Sequence, residues 1–98
     1  MFRTPFVWDV RIRREILEEE IAHLRDLPHS LWRDVVSRPM LKTAHGRDNR
    51  AYRVRTTAAW AFPGSEDIRV TVSLETANLH RRLMSQSFVI TPENRFLE

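Results

Sequence analysis

The chain of 98 residues predicts a small α+β domain: two N-terminal helices packed on one face of a three- or four-stranded antiparallel sheet. Two observations carry that expectation. Apolar residues recur at helical spacing through the first 40 positions, and from residue 52 onward the period becomes two, in two runs separated by a turn. Composition sets the size of the unit. With 42% hydrophobic residues, three Trp and five Phe, the chain can build one core, while two domains would each be too small. A single domain over residues 1–98 is therefore expected, and the apolar content excludes a disordered chain.

The first helix is expected over about 9–27. Val10, Ile12, Ile16, Leu17, Ile21, Leu24 and Leu27 share roughly half of a helical wheel, and charges fill most of the rest. Its start has a competing reading, because Phe6, Trp8, Val10 and Ile12 also alternate at period two, as in a short strand. Pro28 closes the helix, since the residue before a proline is pushed out of the α region. Residues 1–5 are expected to be disordered. A second helix over about 30–37 follows, with Ser30 as its cap, the i,i+4 pairs Leu31/Val35 and Trp32/Val36, and Pro39 beyond its end.

A first strand is expected over about 40–44, with the turn residues His45-Gly46-Arg47-Asp48-Asn49 after it. The next two strands, about 51–62 and 67–75, have the clearest pattern. Tyr52, Val54, Thr56, Ala58 and Trp60 alternate with Arg53, Arg55, Thr57, Ala59 and Ala61. Beyond Pro63-Gly64-Ser65, Ile68, Val70, Val72 and Leu74 alternate with Arg69, Thr71, Ser73 and Glu75. If both apolar sets face one core, opposed residues must have numbers summing to an even value, because a one-residue slip turns a strand inside out. Glu75 then stands opposite Arg53 or Arg55. A last strand over about 86–91 rests on Phe88, Val89 and Ile90, and 79–84 fits a strand or a helical turn equally. Leu97-Glu98 resembles a cloning scar and carries no weight.

Fifteen of the sixteen basic residues are Arg, so the sequence pI near 10.5 reflects groups that do not lose their protons rather than a strong field; the formal charge is only +3. Residues 1–40 are balanced, and the excess gathers in 41–58, where Lys42, Arg47, Arg50, Arg53 and Arg55 face one acid, Asp48. Together with Arg69, these six form the candidate binding surface. Arginine forks suit phosphates and carboxylates, and Thr57, Thr71 and Ser73 on the same sheet face add hydroxyls. A nucleic-acid or anion partner is thus one reading. It is not the favoured one: the face offers no aromatic on which a base could stack, and one polar face is ordinary for an antiparallel sheet.

Other chemistries fare worse. No cysteine is present, which removes disulfides and thiolate metal sites. Glu20 and His23 have Glu-x-x-His spacing, but carboxylate-bridged metal sites need a second copy and two more helical Glu. His45 and Asp48 are the nearest thing to an acid–base pair, in a turn where such residues usually serve geometry. Two glycines far apart exclude a Gly-rich phosphate loop. No catalytic residue, cofactor or metal is therefore expected. The longest apolar run, Ala58 to Phe62, is far short of the ~20 residues of a membrane helix, and early charges interrupt any signal-like stretch, so a cytoplasmic location is expected. Trp60 is expected under the helices in the core, with Ala59 and Ala61 leaving a small apolar patch beside the arginines. The favoured reading is a non-catalytic module for a protein partner or for self-association, since interfaces are enriched in aromatics and Arg, ahead of the nucleic-acid or anion binder and, third, of a small enzyme whose site assembles without a motif.

Overall fold

The computed structural model describes residues 6–75 and 82–97, and of residues 6–9 and 82–83 the backbone only. The elements are α1 (Phe6–Leu24), α2 (His29–Asp34), β1 (Met40–His45), β2 (Ala51–Trp60), β3 (Ile68–Glu75), β4 (Arg82–Ile90) and β5 (Phe96–Leu97). The strands form one antiparallel sheet in the order β1-β2-β3-β4-β5, so every strand pairs with its sequence neighbour. Both helices pack on one face, giving the expected α+β class.

The core follows from that order. β3 lies in the middle, and its inward residues Ile68, Val70, Val72 and Leu74 are fully buried. Tyr52, Val54, Thr56 and Ala58 extend the same face on β2, as do Phe88 and Ile90 on β4. Ile12, Leu17 and Leu24 of α1 and Trp32 of α2 cover it. Burying each large aliphatic side chain contributes roughly 1.5–3 kcal/mol before chain entropy is counted. The expected parity holds: Arg53 stands opposite Glu75, and Trp60 opposite Ile68.

Several boundaries differ from the sequence reading. α1 begins at Phe6, so the period-two alternation of residues 6–12 is helix, and it ends at Leu24 rather than 27. Its last turn tightens instead of continuing, with the Asp26 and Leu27 N–H groups donating to carbonyls three residues back. α2 starts one residue before Ser30, and Ser30 is not its cap. Pro28 occupies the N-cap position without a side-chain hydrogen bond, and the His29 N–H instead donates to Asn94 Oδ1 at 2.8 Å, 65 residues away. The helix also stops at Asp34, and Ser37 takes a left-handed φ of 70° on the way to β1. The expected disorder of residues 1–5 lies outside the described residues.

In the sheet, β2 ends at Trp60 rather than 62. β4 begins at Arg82, so 82–84 are strand, while 79–81 lie outside the described residues. The fifth strand was not expected. Thr91 and Asn94 close a turn in which Asn94 adopts φ 64°, and Phe96 and Leu97 then pair with Ile90 and Val89. Leu97, given no weight in the sequence, is therefore a paired strand residue. Phe96 adds an edge-on ring contact to Phe88, which meets Trp32 the same way, and the Arg25 guanidinium lies 4.8 Å from the Phe96 centroid. Among the described residues no helix is long and apolar enough to cross a membrane.

Candidate functional site

The register assigns each candidate cation to a place. Arg53 and Arg55 of β2 and Arg69 of β3 share the outer face, away from the helices, with Thr57, Thr71 and Ser73. Lys42 does not join them. It pairs with Val54 in the β1–β2 ladder and lies on the helix side, where its Nζ meets Glu20 Oε1 at 2.7 Å. Arg47 and Arg50 sit in the β1–β2 turn, and Arg47 reaches back to α1 in a two-pronged contact with both oxygens of Glu15, at 2.8 and 2.9 Å.

These cations are therefore dispersed and largely engaged within the chain. Arg55 Nε contacts Glu75 Oε2 at 2.8 Å, the diagonal partner rather than the one directly opposite. Glu75 is itself buried on the outer face, and its Oε1 has no hydrogen bond among the described residues. Arg50 Nε lies 3.8 Å from Asp48, and Arg53 also interacts with the rest of the protein. Arg69 is the exception. Across the ladders it stands between Ala59 and Val89, with no carboxylate on either side, and among the described residues it has no hydrogen-bond or ion-pair partner.

His45 and Asp48 do not form an acid–base pair. Asp48 organises the turn: its Oδ1 accepts the Arg50 N–H at 3.1 Å and its Oδ2 accepts the Tyr52 hydroxyl at 2.9 Å. Burial pushes its carboxyl upward, but these donors and the Arg50 charge outweigh burial and hold it below its ordinary 3.8. Burial, reinforced by the hydrogen bond to that carboxylate, raises the Tyr52 hydroxyl above 10.0. Folded Asp48 binds a proton less readily than unfolded Asp48, so its contribution to stability is present above about pH 4 and lost as pH falls through the folded value. The Tyr52 contribution is present below about pH 10 and lost as pH rises through its folded value. Asp48→Asn is expected to lower stability by about 1 kcal/mol at neutral pH, with the gap closing toward about pH 2. Thermal melts over that range test this, and a gap that stays constant into acid contradicts it.

The Glu20/His23 spacing gathers no metal site either. Glu20 is taken by Lys42, His23 is exposed, and among the described residues no group of three His, Asp or Glu side chains is placed to hold an ion. His29, unremarked in the sequence, is buried, and its Nε2 lies 2.6 Å from the Glu66 carbonyl oxygen. Its backbone bond to Asn94 and this ring contact tie α2 to both the β2–β3 and β4–β5 turns.

What the surface offers instead is apolar. Trp60 is 47% exposed and not in the core, because the helices do not cover the end of β2; Phe62, just beyond it, is 48% exposed. The two line an open cavity of about 530 Å³ with Pro63, Gly64, Ser65 and Glu66. The turn between them and β3 is shaped by Gly64, whose φ of 77° suits the third position of the Phe62–Ser65 turn. A smaller notch of about 260 Å³ is lined by Phe62, Arg69, Ser87, Phe88, Val89 and Leu97. The Ala59 part of the expected patch is exposed beside Arg69. The signal that could have found this place was the Ala59/Arg69/Val89 row, an arginine between two apolar neighbours. Searches with the sequence and the fold return no matching family model, curated protein or solved structure.

Proposed function

We propose that this chain is a non-catalytic interaction module that docks a protein partner at the β2–β3 turn end of its sheet. The observation that carries this reading is the concentration of half-exposed Trp60 and Phe62 at one turn, where Phe62 also lines the outer-face notch of Arg69, which has no partner among the described residues. Trp, Tyr and Arg dominate the energetics of protein interfaces because each brings large contact area with a polar or charged handle. The nucleic-acid reading is the less favoured, because the basic cluster separates onto two faces and a turn, with Lys42, Arg47, Arg50 and Arg55 beside acids of the same chain.

The test is capture from source lysate with the wild-type chain and with Phe62→Asp, each with and without nuclease. Nuclease-resistant protein partners that the wild type retains and Phe62→Asp loses are the expected outcome. Partners released by nuclease from the wild type, or retained equally by the variant, would overturn the reading. Phe62 is exposed, so the variant is expected to melt within about 0.5 kcal/mol of the wild type, which circular dichroism checks. Sedimentation of the wild type at tens of micromolar separates the two kinds of partner, since a second copy of the chain requires a concentration-dependent dimer.

A further inference from the structure

We infer that the notch around Arg69 takes a carboxylate presented beside an apolar side chain, so that the partner segment docking there is an acidic, apolar peptide. This rests on the interaction reading above and adds the chemistry of the partner.

The chain supplies its arginines on β2 and in the β1–β2 turn with acids. Arg53 stands opposite Glu75, and Arg55 reaches Glu75 on the diagonal. Arg47 finds Glu15, and Arg50 lies near Asp48. Arg69 has Ala59 on one side and Val89 on the other, positions from which no side chain can return a hydrogen bond. Its guanidinium carries five donors in a fixed plane and cannot shed its charge, and among the described residues nothing accepts from it, which leaves the fork open to water or to an acceptor brought by a partner.

The surroundings make an outside acceptor worth more than water. Val89 is buried although it belongs to the outer face, and Phe62 and Leu97 are about half exposed at the notch rim. An apolar side chain settling between Phe62 and Val89 removes water from the space beside Arg69. A carboxylate arriving with it then meets a planar, weakly hydrated cation in lowered dielectric, the setting in which a two-pronged Arg–carboxylate contact is strongest. Ser87 in the same lining supplies a hydroxyl that can donate to the second oxygen. A bare phosphate gains the charge but not the apolar contact. A neutral apolar peptide gains the contact but leaves the cation to be desolvated unpaired, which opposes binding.

The probe pair is acetyl-Leu-Glu-Leu-amide and acetyl-Leu-Gln-Leu-amide, titrated into the intact chain and read by amide chemical-shift mapping. The acidic peptide is expected to shift residues 62, 69 and 87–89 saturably in the millimolar range, and the Gln peptide to bind roughly five- to tenfold more weakly. Arg69→Gln is expected to reduce the acidic peptide to the level of the Gln peptide, and Arg69→Lys to recover only part of the loss, because an ammonium does not offer the fork. Equal binding of the two peptides, no saturation, or identical shifts from inorganic phosphate alone would overturn the proposal. Because residue 98 is an acid next to Leu97 in sequence, Glu98→Gln is included. Unchanged affinity is expected, and a fivefold rise would mean that the chain's own carboxylate occupies the notch, which also overturns the proposal. In the lysate capture, Arg69→Gln retaining partners as the wild type does would defeat this inference while leaving the interaction reading intact. Loss of partner binding in Phe62→Asp but not in Arg69→Gln makes the same distinction.

Discussion

Trp32→Ala is expected to destabilise the chain by about 3–5 kcal/mol, the largest effect of any single truncation considered. Trp32 has no exposed surface, and it sits where α2, β4 and the end of α1 converge. Its ring meets Phe88 at a centroid distance of 6.3 Å with planes 77° apart, and Phe88 passes the contact on to Phe96. Removing the indole opens a cavity beneath a helix of only six residues, which has no side-chain cap of its own and cannot follow the vacated space without giving up the His29 contacts to Asn94 and Glu66. For a domain of this size each kcal/mol moves the midpoint by roughly 4–8 °C, so a fall of more than about 12 °C is expected.

The conservative variant sharpens that expectation. Trp32 Nε1 is buried without a hydrogen-bond partner among the described residues, and an unmet buried donor costs about 1–3 kcal/mol. Trp32→Phe deletes the donor along with part of the ring volume, so the two effects oppose each other and a net loss of about 1 kcal/mol or less is expected. Chemical denaturation of both variants is the measurement. A Phe variant as unstable as the Ala variant would mean that the indole N–H is satisfied in solution, by water or otherwise, and that losing its bond rather than ring volume sets the cost.

How much of this was legible in the sequence depends on the range of the forces involved. The even parity of β2 and β3 could be read because one buried face imposes it locally; it left Arg53 or Arg55 opposite Glu75, and the structure has Arg53 there. The same parity put Trp60 on the helix side but could not say whether a helix reaches that far; none does, and the ring is half exposed. In β1, Met40 and Leu41 are both apolar and both exposed, so no alternation revealed that Lys42 faces α1. Glu20 and Glu15, which take Lys42 and Arg47, lie 22 and 32 residues earlier, a separation that no local periodicity spans. The two-residue β5 carries too few positions for any period, and its signal was the αL-tolerant Asn94 after Pro92. The charge excess of 41–58 is plain in the sequence, while its division between two faces and a turn is a property of tertiary contacts alone.

Gly46→Ala is expected to cost about 1–3 kcal/mol through overpacking, although the substitution adds a single methyl group in a turn. A Cβ at Gly46 would stand 2.6 Å from Asp48 Oδ1, 2.8 Å from Ile12 Cγ2 and 3.3 Å from Ile16 Cδ1. None of the first two neighbours moves freely. Asp48 Oδ1 is held by the Arg50 N–H, and Ile12 is 2% exposed, with a γ-methyl that shifts only if χ1 or the helix does. The β1–β2 turn therefore rests directly on α1, and glycine is required there by proximity. Gly64 presents the opposite case: nothing lies within 4 Å of its Cβ position, but φ is +77°, so Gly64→Ala is expected to cost about 1–2 kcal/mol from backbone strain alone. A double-mutant cycle distinguishes the two origins. Ile12→Ala alone opens a cavity and costs about 2–5 kcal/mol, but it also removes the methyl that a Cβ at residue 46 would strike. Gly46→Ala added to Ile12→Ala should then cost measurably less than Gly46→Ala alone, a coupling above about 0.5 kcal/mol, whereas Gly64→Ala should add to Ile12→Ala without coupling. Additivity of Gly46→Ala with Ile12→Ala would show that the turn yields away from α1 and that the close approach does not hold the hairpin to the helix.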